Sequence, residues 1–132
     1  MHVLIVEDHP VTSRLLKDIL KPYAECEIVD SGSEAILAFD NALKKNKPFD
    51  LICMDIMMPN MNGHVALMQI REKEKKAGIA EDKEVKVIMV TGLDDGKNVV
   101  KAYYEGGATS YIVKPIDKDK FLDELRNIGL IE

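Results

Sequence analysis

The sequence predicts an α/β fold, a parallel sheet with helices on both faces, and three observations predict it. Five short apolar or β-branched runs alternate with five segments of helical spacing along 132 residues, the pattern of repeated strand-helix crossovers. Three of the runs, Val3 to Val6, Leu51 to Met54 and Val85 to Val90, are apolar nearly throughout, as strands covered on both faces are. Four of the runs also end on side chains with chemistry to offer: Glu7 and Asp8, then Asp55, Thr91 and Lys114.

Val3-Leu4-Ile5-Val6 is the first strand. Pro10 then opens a helix in which Val11, Leu15 and Ile19 recur at four-residue spacing, and proline suits a first turn because its missing N–H has no partner there anyway. Glu25 to Val29 is a weaker strand. It leads into Ser31-Gly32-Ser33-Glu34, with Ser33 as the expected N-cap of a helix carrying Ala35, Ile36, Ala38, Phe39 and Leu43. Leu51 to Met54 is a third strand that stops on Asp55 and turns at Pro59 and Gly63. The helix begun at Gly63 carries Val65, Leu67, Met68 and Ile70 and runs into the charged tract Arg71 to Lys76, expected to be a solvated helix end. The connection from there to Val85 is long for so small a domain. Val85 to Val90 forms a fourth strand ending at Thr91-Gly92, and Lys97 to Glu105 is expected to be helical, stopping at Gly106-Gly107. Tyr111-Ile112-Val113 is a fifth strand ending at Lys114-Pro115. Asp117 then caps a last helix with Phe121, Leu122, Leu125 and Ile128. No linker or low-complexity stretch interrupts this order, so residues 1–132 are expected to be one domain, long enough to bury roughly 68% of its unfolded surface without staples.

The formal net charge of -5 excludes a general nucleic-acid surface, which needs a basic face to displace phosphate counterions. Two cysteines, Cys26 and Cys53, make neither a zinc spacing nor a disulfide framework and fit a reducing compartment. No segment approaches the roughly 18 consecutive apolar residues of a membrane span, and the N-terminus lacks a basic region followed by an apolar one. A cytoplasmic monomer that meets other proteins or a cation is the resulting expectation.

In open parallel sheets ligands bind just beyond the carboxyl ends of the strands, so topology brings Glu7, Asp8, Asp55, Thr91 and Lys114 to one edge. Carboxylates this close repel, and one pKa rises unless a cation or Lys114 intervenes. Magnesium takes oxygen ligands and keeps several waters. Asp8, Asp55 and one backbone carbonyl just after Asp55 would therefore suffice as its protein shell, with Glu7 holding a coordinated water. The chemistry such a site supports is attack of the Asp55 carboxylate on a phosphoryl group, assisted by the cation, Lys114 and the Thr91 hydroxyl.

Taken together, Val-Leu-Ile-Val-Glu7-Asp8, Met-Asp55-Ile-Met-Met-Pro59-Asn-Met-Asn-Gly63, Val-Thr91-Gly92 and Tyr111-Ile-Val-Lys114-Pro115 resemble the signatures of response-regulator receiver domains, in order and across essentially the whole chain. The resemblance implies a flavodoxin-like, doubly wound, five-stranded parallel sheet of order 2-1-3-4-5 with five helices. It also implies a phosphorylation-activated switch of two-component signalling that takes a phosphoryl group from a histidine kinase or phosphotransfer protein onto Asp55. Asp8, Asp55 and the Met57 carbonyl resemble the Mg2+ ligands, with Glu7 acting through water. Lys114 resembles the phosphoryl-binding lysine, Thr91 the switch hydroxyl and Tyr111 the aromatic switch. The resemblance further implies a cis Lys114-Pro115 bond and a changed surface on the fourth helix, fifth strand and last helix, read by an unknown protein target. Met57, Met58 and Leu93 are expected to border the site. The segment from Arg71 to Lys86 is longer than the family's usual connection.

Three other functions compete. A magnesium-dependent phosphohydrolase with an aspartyl nucleophile would want an acid two residues after it, where Met57 stands. A nucleotide or flavin binder needs a Gly/Ser/Thr-rich turn after the first strand, whereas Glu7-Asp8-His9-Pro10 would repel phosphate. A receiver-like interaction module that is never phosphorylated would have no use for all five polar strand-end residues.

Overall fold

Strands β1 (His2–Val6), β2 (Glu25–Val29), β3 (Leu51–Asp55), β4 (Lys86–Thr91) and β5 (Ser110–Val113) pair in the order β2-β1-β3-β4-β5. Every pair is parallel. The computed structural model describes residues 1–92 and 107–132. Because β1 has β2 on one side and β3 on the other, the order of growth reverses between them, and the crevice beyond their carboxyl ends is where such sheets take ligands.

Alternation of side chains across the pleat splits each apolar run between two cores. Leu4, Val6, Ile52, Met54, Val87 and Met89 face one side, where they meet Phe39, Leu67 and Ile70. Val3, Ile5, Leu51, Cys53 and Ile88 face the other and meet Leu16, Leu20, Phe121 and Leu125. Both faces of β1, β3 and β4 are therefore covered, which is why these strands read as unbroken apolar runs. Burial pushes the Cys53 thiol well up from its ordinary value, as expected of a packing residue.

The covering helices are α1 (Pro10–Leu20), α2 (Gly32–Lys44), α3 (Gly63–Lys76) and α4 (Lys118–Asn127). The expectation of five helices is corrected to four among the described residues; Lys97 to Glu105 lies outside them. A second correction concerns the start of α2. Ser31, not Ser33, is its N-cap, with the Ser31 Oγ accepting from Glu34 N at 3.2 Å. Asn62 and Asp117 cap α3 and α4 in the same way, accepting from Val65 N and Lys120 N at 3.0 Å each. Among the described residues no helix is long and apolar enough to cross a membrane.

The charged tract at the end of α3 is not simply solvated. Glu74 falls four residues after Ile70, on the buried stripe, and its side chain is 1% exposed, with that of Arg71 at 13%. The pair meets at 2.7 Å. Glu74 Oε2 accepts from Val85 N at 2.7 Å. Arg71 donates to Val85 O at 2.8 Å and, through Nε and Nη2, to Gly107 O at 3.1 and 2.8 Å. One ion pair thus fastens α3 to the entry of β4 and to the approach to β5. Gly107 is held at φ +77, a conformation glycine adopts freely.

Removing one member of a buried pair leaves an uncompensated charge and costs about 3–5 kcal/mol. Glu74→Ala and Arg71→Ala are each expected to lose stability on that scale, and the double variant less than the sum, measured by urea denaturation. Losses that simply add would show that the two side chains act separately.

Candidate functional site

Glu7 continues the sheet one residue past β1, its N–H donating to Val29 O at 3.0 Å, and this turns its side chain inward to 3% exposure. Asp8, next in the chain, is exposed. Asp55 closes β3 opposite Val90 and is 4% exposed. Its Oδ1 accepts from Met57 N at 3.2 Å, while Ile56 N donates to Val90 O at 3.1 Å and fixes the chain just beyond it. Carboxylate oxygens of Glu7, Asp8 and Asp55 all lie within 4.8 Å of one another. Lys114 leaves β5 with its N–H donating to Thr91 O at 2.7 Å. Its Nζ stands 2.9 Å from Glu7 Oε1 and 3.5 Å from Asp55 Oδ2. The Lys114-Pro115 bond is cis.

Among the described residues, three carboxylates against one ammonium leave the cluster short of positive charge. Burial, then the hydrogen bond and charge of Glu7, push the Asp55 carboxyl up from 3.8 to about 7, against the opposing pull of Lys114 and the Met57 N–H. Burial pulls Lys114 down, but Glu7 and Asp55 outweigh it and its net shift is upward. Glu7 Oε1 is buried and faces Lys114 without a well-directed hydrogen bond, so that contact is electrostatic rather than directional. A hard divalent cation fits this donor set: every ligand is oxygen, and the buried Glu7 oxygen has unused acceptor capacity.

The structure thus gathers Glu7, Asp8, Asp55 and Lys114. Thr91 is buried at the end of β4, but its hydroxyl donates to Gly92 O at 3.2 Å. Tyr111 sits on β5 opposite Met89, 46% exposed. Met57 and its neighbour differ: Met57 is exposed and Met58 buried. Leu93 lies outside the described residues. Sequence reasoning took Gly63 as a turn residue, the start of a helix and part of the family signature, and gave it no place at the site; its N–H donates to Ile56 O at 2.9 Å and it packs against the main chain of Asp55. Spacing carries no signal of that contact.

Residues 3–126 match the family described as the response regulator receiver domain. The chain belongs to that family. This receiver domain is 34% identical over 128 residues to the chemotaxis protein CheY of Listeria monocytogenes, covering 95% of each. It is also 30% identical over 136 residues to the histidine kinase CKI1 of Arabidopsis thaliana, covering 96% of this chain but 11% of the kinase. The solved structure of a mutant CKI1 receiver domain aligns with a TM-score of 0.81 at 28% identity, covering 96% of this chain and 89% of that one. A chain in the co-crystal of a Saccharomyces cerevisiae histidine phosphotransfer protein with the receiver domain of its downstream response regulator aligns with a TM-score of 0.81 at 25% identity. That match covers 98% of this chain and 88% of the other. The receiver domain is a module of two-component signalling, a family in which phosphorylation and magnesium are general features.

The crowding at Asp55 is open to a direct test in a chelator. A folded-state pKa raised from 3.8 to about 7 means stability that is full below 3.8 and is lost as the pH rises through 7. Asp55→Asn removes the crowded charge, so at about pH 8 it is expected to melt above the unsubstituted protein, the gap closing on acidification. Calorimetry across that range checks the sign, and a gap that widens in acid would contradict it.

Proposed function

We propose that this receiver domain, acting as one unit over residues 1–132, is a switch in which Asp55 accepts a phosphoryl group from a phosphohistidine. The donor is a histidine kinase or histidine phosphotransfer protein. The observation that carries this reading is the Lys114 ammonium held within reach of both Glu7 and Asp55, beside three carboxylates able to share a cation. The co-crystallised yeast receiver domain, paired with its phosphotransfer protein, supports the class of donor.

In the transfer, an Asp55 carboxylate oxygen bonds to phosphorus as the P–N bond to the donor imidazole breaks. The bonding pair leaves with the ring nitrogen, which takes up a proton, and the product is an acyl phosphate. Such transfers depend mainly on positioning and charge neutralisation. The chain supplies both: the Met57 N–H restrains Asp55 Oδ1, the β3/β4 ladder fixes the main chain, and Lys114 pairs with an incoming phosphoryl oxygen. Asp8, Asp55 and the Met57 carbonyl would hold Mg2+, with Glu7 acting through water. When bound, the ion offsets the carboxylate charge and that of the phosphoryl oxygens.

Phosphorylation adds roughly -1.5 to -2 of charge and new acceptor oxygens. The Thr91 hydroxyl, now given to Gly92 O, turns toward them, Tyr111 moves into the space it leaves, and the surface around β5 and α4 changes for a protein target. The product is a changed surface rather than a released metabolite, so the domain is a regulator and not a turnover enzyme.

Incubation with magnesium and acetyl phosphate is expected to add one phosphoryl mass to the protein and none to Asp55→Asn. Lys114→Ala is expected to slow labelling by about 100-fold, the usual cost of one lost charge-stabilising donor. An Asp55→Asn protein labelled as readily as the unsubstituted one would remove the assignment. Magnesium at ten times its dissociation constant is expected to add about 1.4 kcal/mol of stability, read as a higher melting midpoint. Asp8→Asn should abolish that gain.

A further inference from the structure

We infer that Gly63 is a positioning residue for phosphoryl acceptance, its missing side chain allowing α3 to seat against the main chain of Asp55 and so fixing where the acceptor carboxylate stands. The inference rests on the reading of Asp55 as acceptor. A Cβ placed on Gly63 would lie 2.2 Å from Asp55 O, 3.0 Å from Asp55 C and 2.8 Å from Met54 Cγ. Cβ atoms essentially never come within 3.0 Å of another heavy atom, so the 2.2 Å contact with the carbonyl oxygen forces something to shift. Met54 has a flexible side chain that would give way. The Asp55 carbonyl is main chain and would carry its own residue with it.

The requirement is one of space rather than of backbone conformation, since Gly63 is not among the residues at positive φ. Nor is α3 free to retreat. Gly63 N is bonded to Ile56 O at 2.9 Å, Asn62 caps the first turn, and Ala66, Leu67 and Ile70 are wholly buried. Its far end is fastened through Arg71 and Glu74 to Val85, at the entry of β4, and to Gly107. The displacement therefore falls on Asp55, the last residue of β3. Gly32 makes an instructive contrast, because a Cβ there meets Met61 Cγ and Sδ at 3.0 Å, the flexible part of a side chain.

The test compares first-order labelling of Asp55 at saturating acetyl phosphate and magnesium, per folded molecule, with folding checked by circular dichroism at low temperature. Gly63→Ala is expected to lower this saturating rate by roughly 100-fold, the scale set by a 1 Å misplacement, with smaller changes in the half-saturating concentrations. Ile19→Ala, in α1 toward the opposite end of the sheet, serves as a destabilised control expected to keep its rate, as is Gly32→Ala. Adding Met54→Ala to Gly63→Ala relieves only the side-chain contact and is expected to leave the rate low. Labelling of Gly63→Ala at the unsubstituted rate would overturn the inference, as would recovery in the double variant or an equal loss in Ile19→Ala. A Gly63→Ala protein that is unfolded in the cold also overturns it, because the role would then belong to the fold as a whole. Absence of label on the unsubstituted protein would instead sink the acceptor assignment itself.

Discussion

Everything at the carboxyl edge of the sheet depends on a single ammonium group shared between two buried acids. Glu7 and Asp55 are carried inward by β1 and β3, away from water that would otherwise screen them, and burial without a counter-charge is strongly unfavourable. Lys114 reaches both only because its own main chain is tied to Thr91 by the last rung of the β4/β5 ladder. Parallel pairing thus sets the electrostatics: a one-residue slip of β5 would send the lysine to the other face of the sheet. Even so, burial and the neighbouring Glu7 push the Asp55 carboxyl upward against the pull of Lys114. The site is in that sense poised for further positive charge.

Most of this architecture was legible in the sequence, because the strongest signals there are the ones burial produces. Runs such as Leu51 to Met54 and Val87 to Val90 stay apolar because both faces of the central strands are covered, and the polar residues that end them mark where that cover stops. Asp117 was readable as a cap for the same reason, a short acceptor just before a periodic run. Ser31 and Ser33 both satisfy that rule, and only the backbone geometry, extended at Ser31, separates them. The charged tract misled more seriously. Alternating signs ordinarily mean a solvated face, yet Glu74 continues the stripe of Ala66, Leu67 and Ile70 and is drawn under β4 by the Val85 N–H. Helical spacing was present to be read there. Its partner groups, two main-chain carbonyls and an N–H from distant segments, were not.

At the site, residue type and strand-end position located the carboxylates and the lysine, since those follow from topology. What spacing could not convey is which contacts are already made: the Thr91 hydroxyl turned to the neighbouring Gly92 carbonyl, or the glycine whose importance lies in an atom it lacks. Such features depend on approach distances between main chains, which no pattern of side-chain types records.

The clasp between Arg71, Glu74, Val85 and Gly107 also separates two lengths that would otherwise be linked. The chain from Ala77 to Glu84 leaves α3 through Gly78 at φ +74 and passes through a 3-10 turn at Glu81–Lys83, but the register of β4 is set by groups on either side of it. Closing a longer flexible loop costs only about 0.6 kcal/mol for each doubling. That stretch can therefore gain or lose residues without disturbing the helix and the strand it joins.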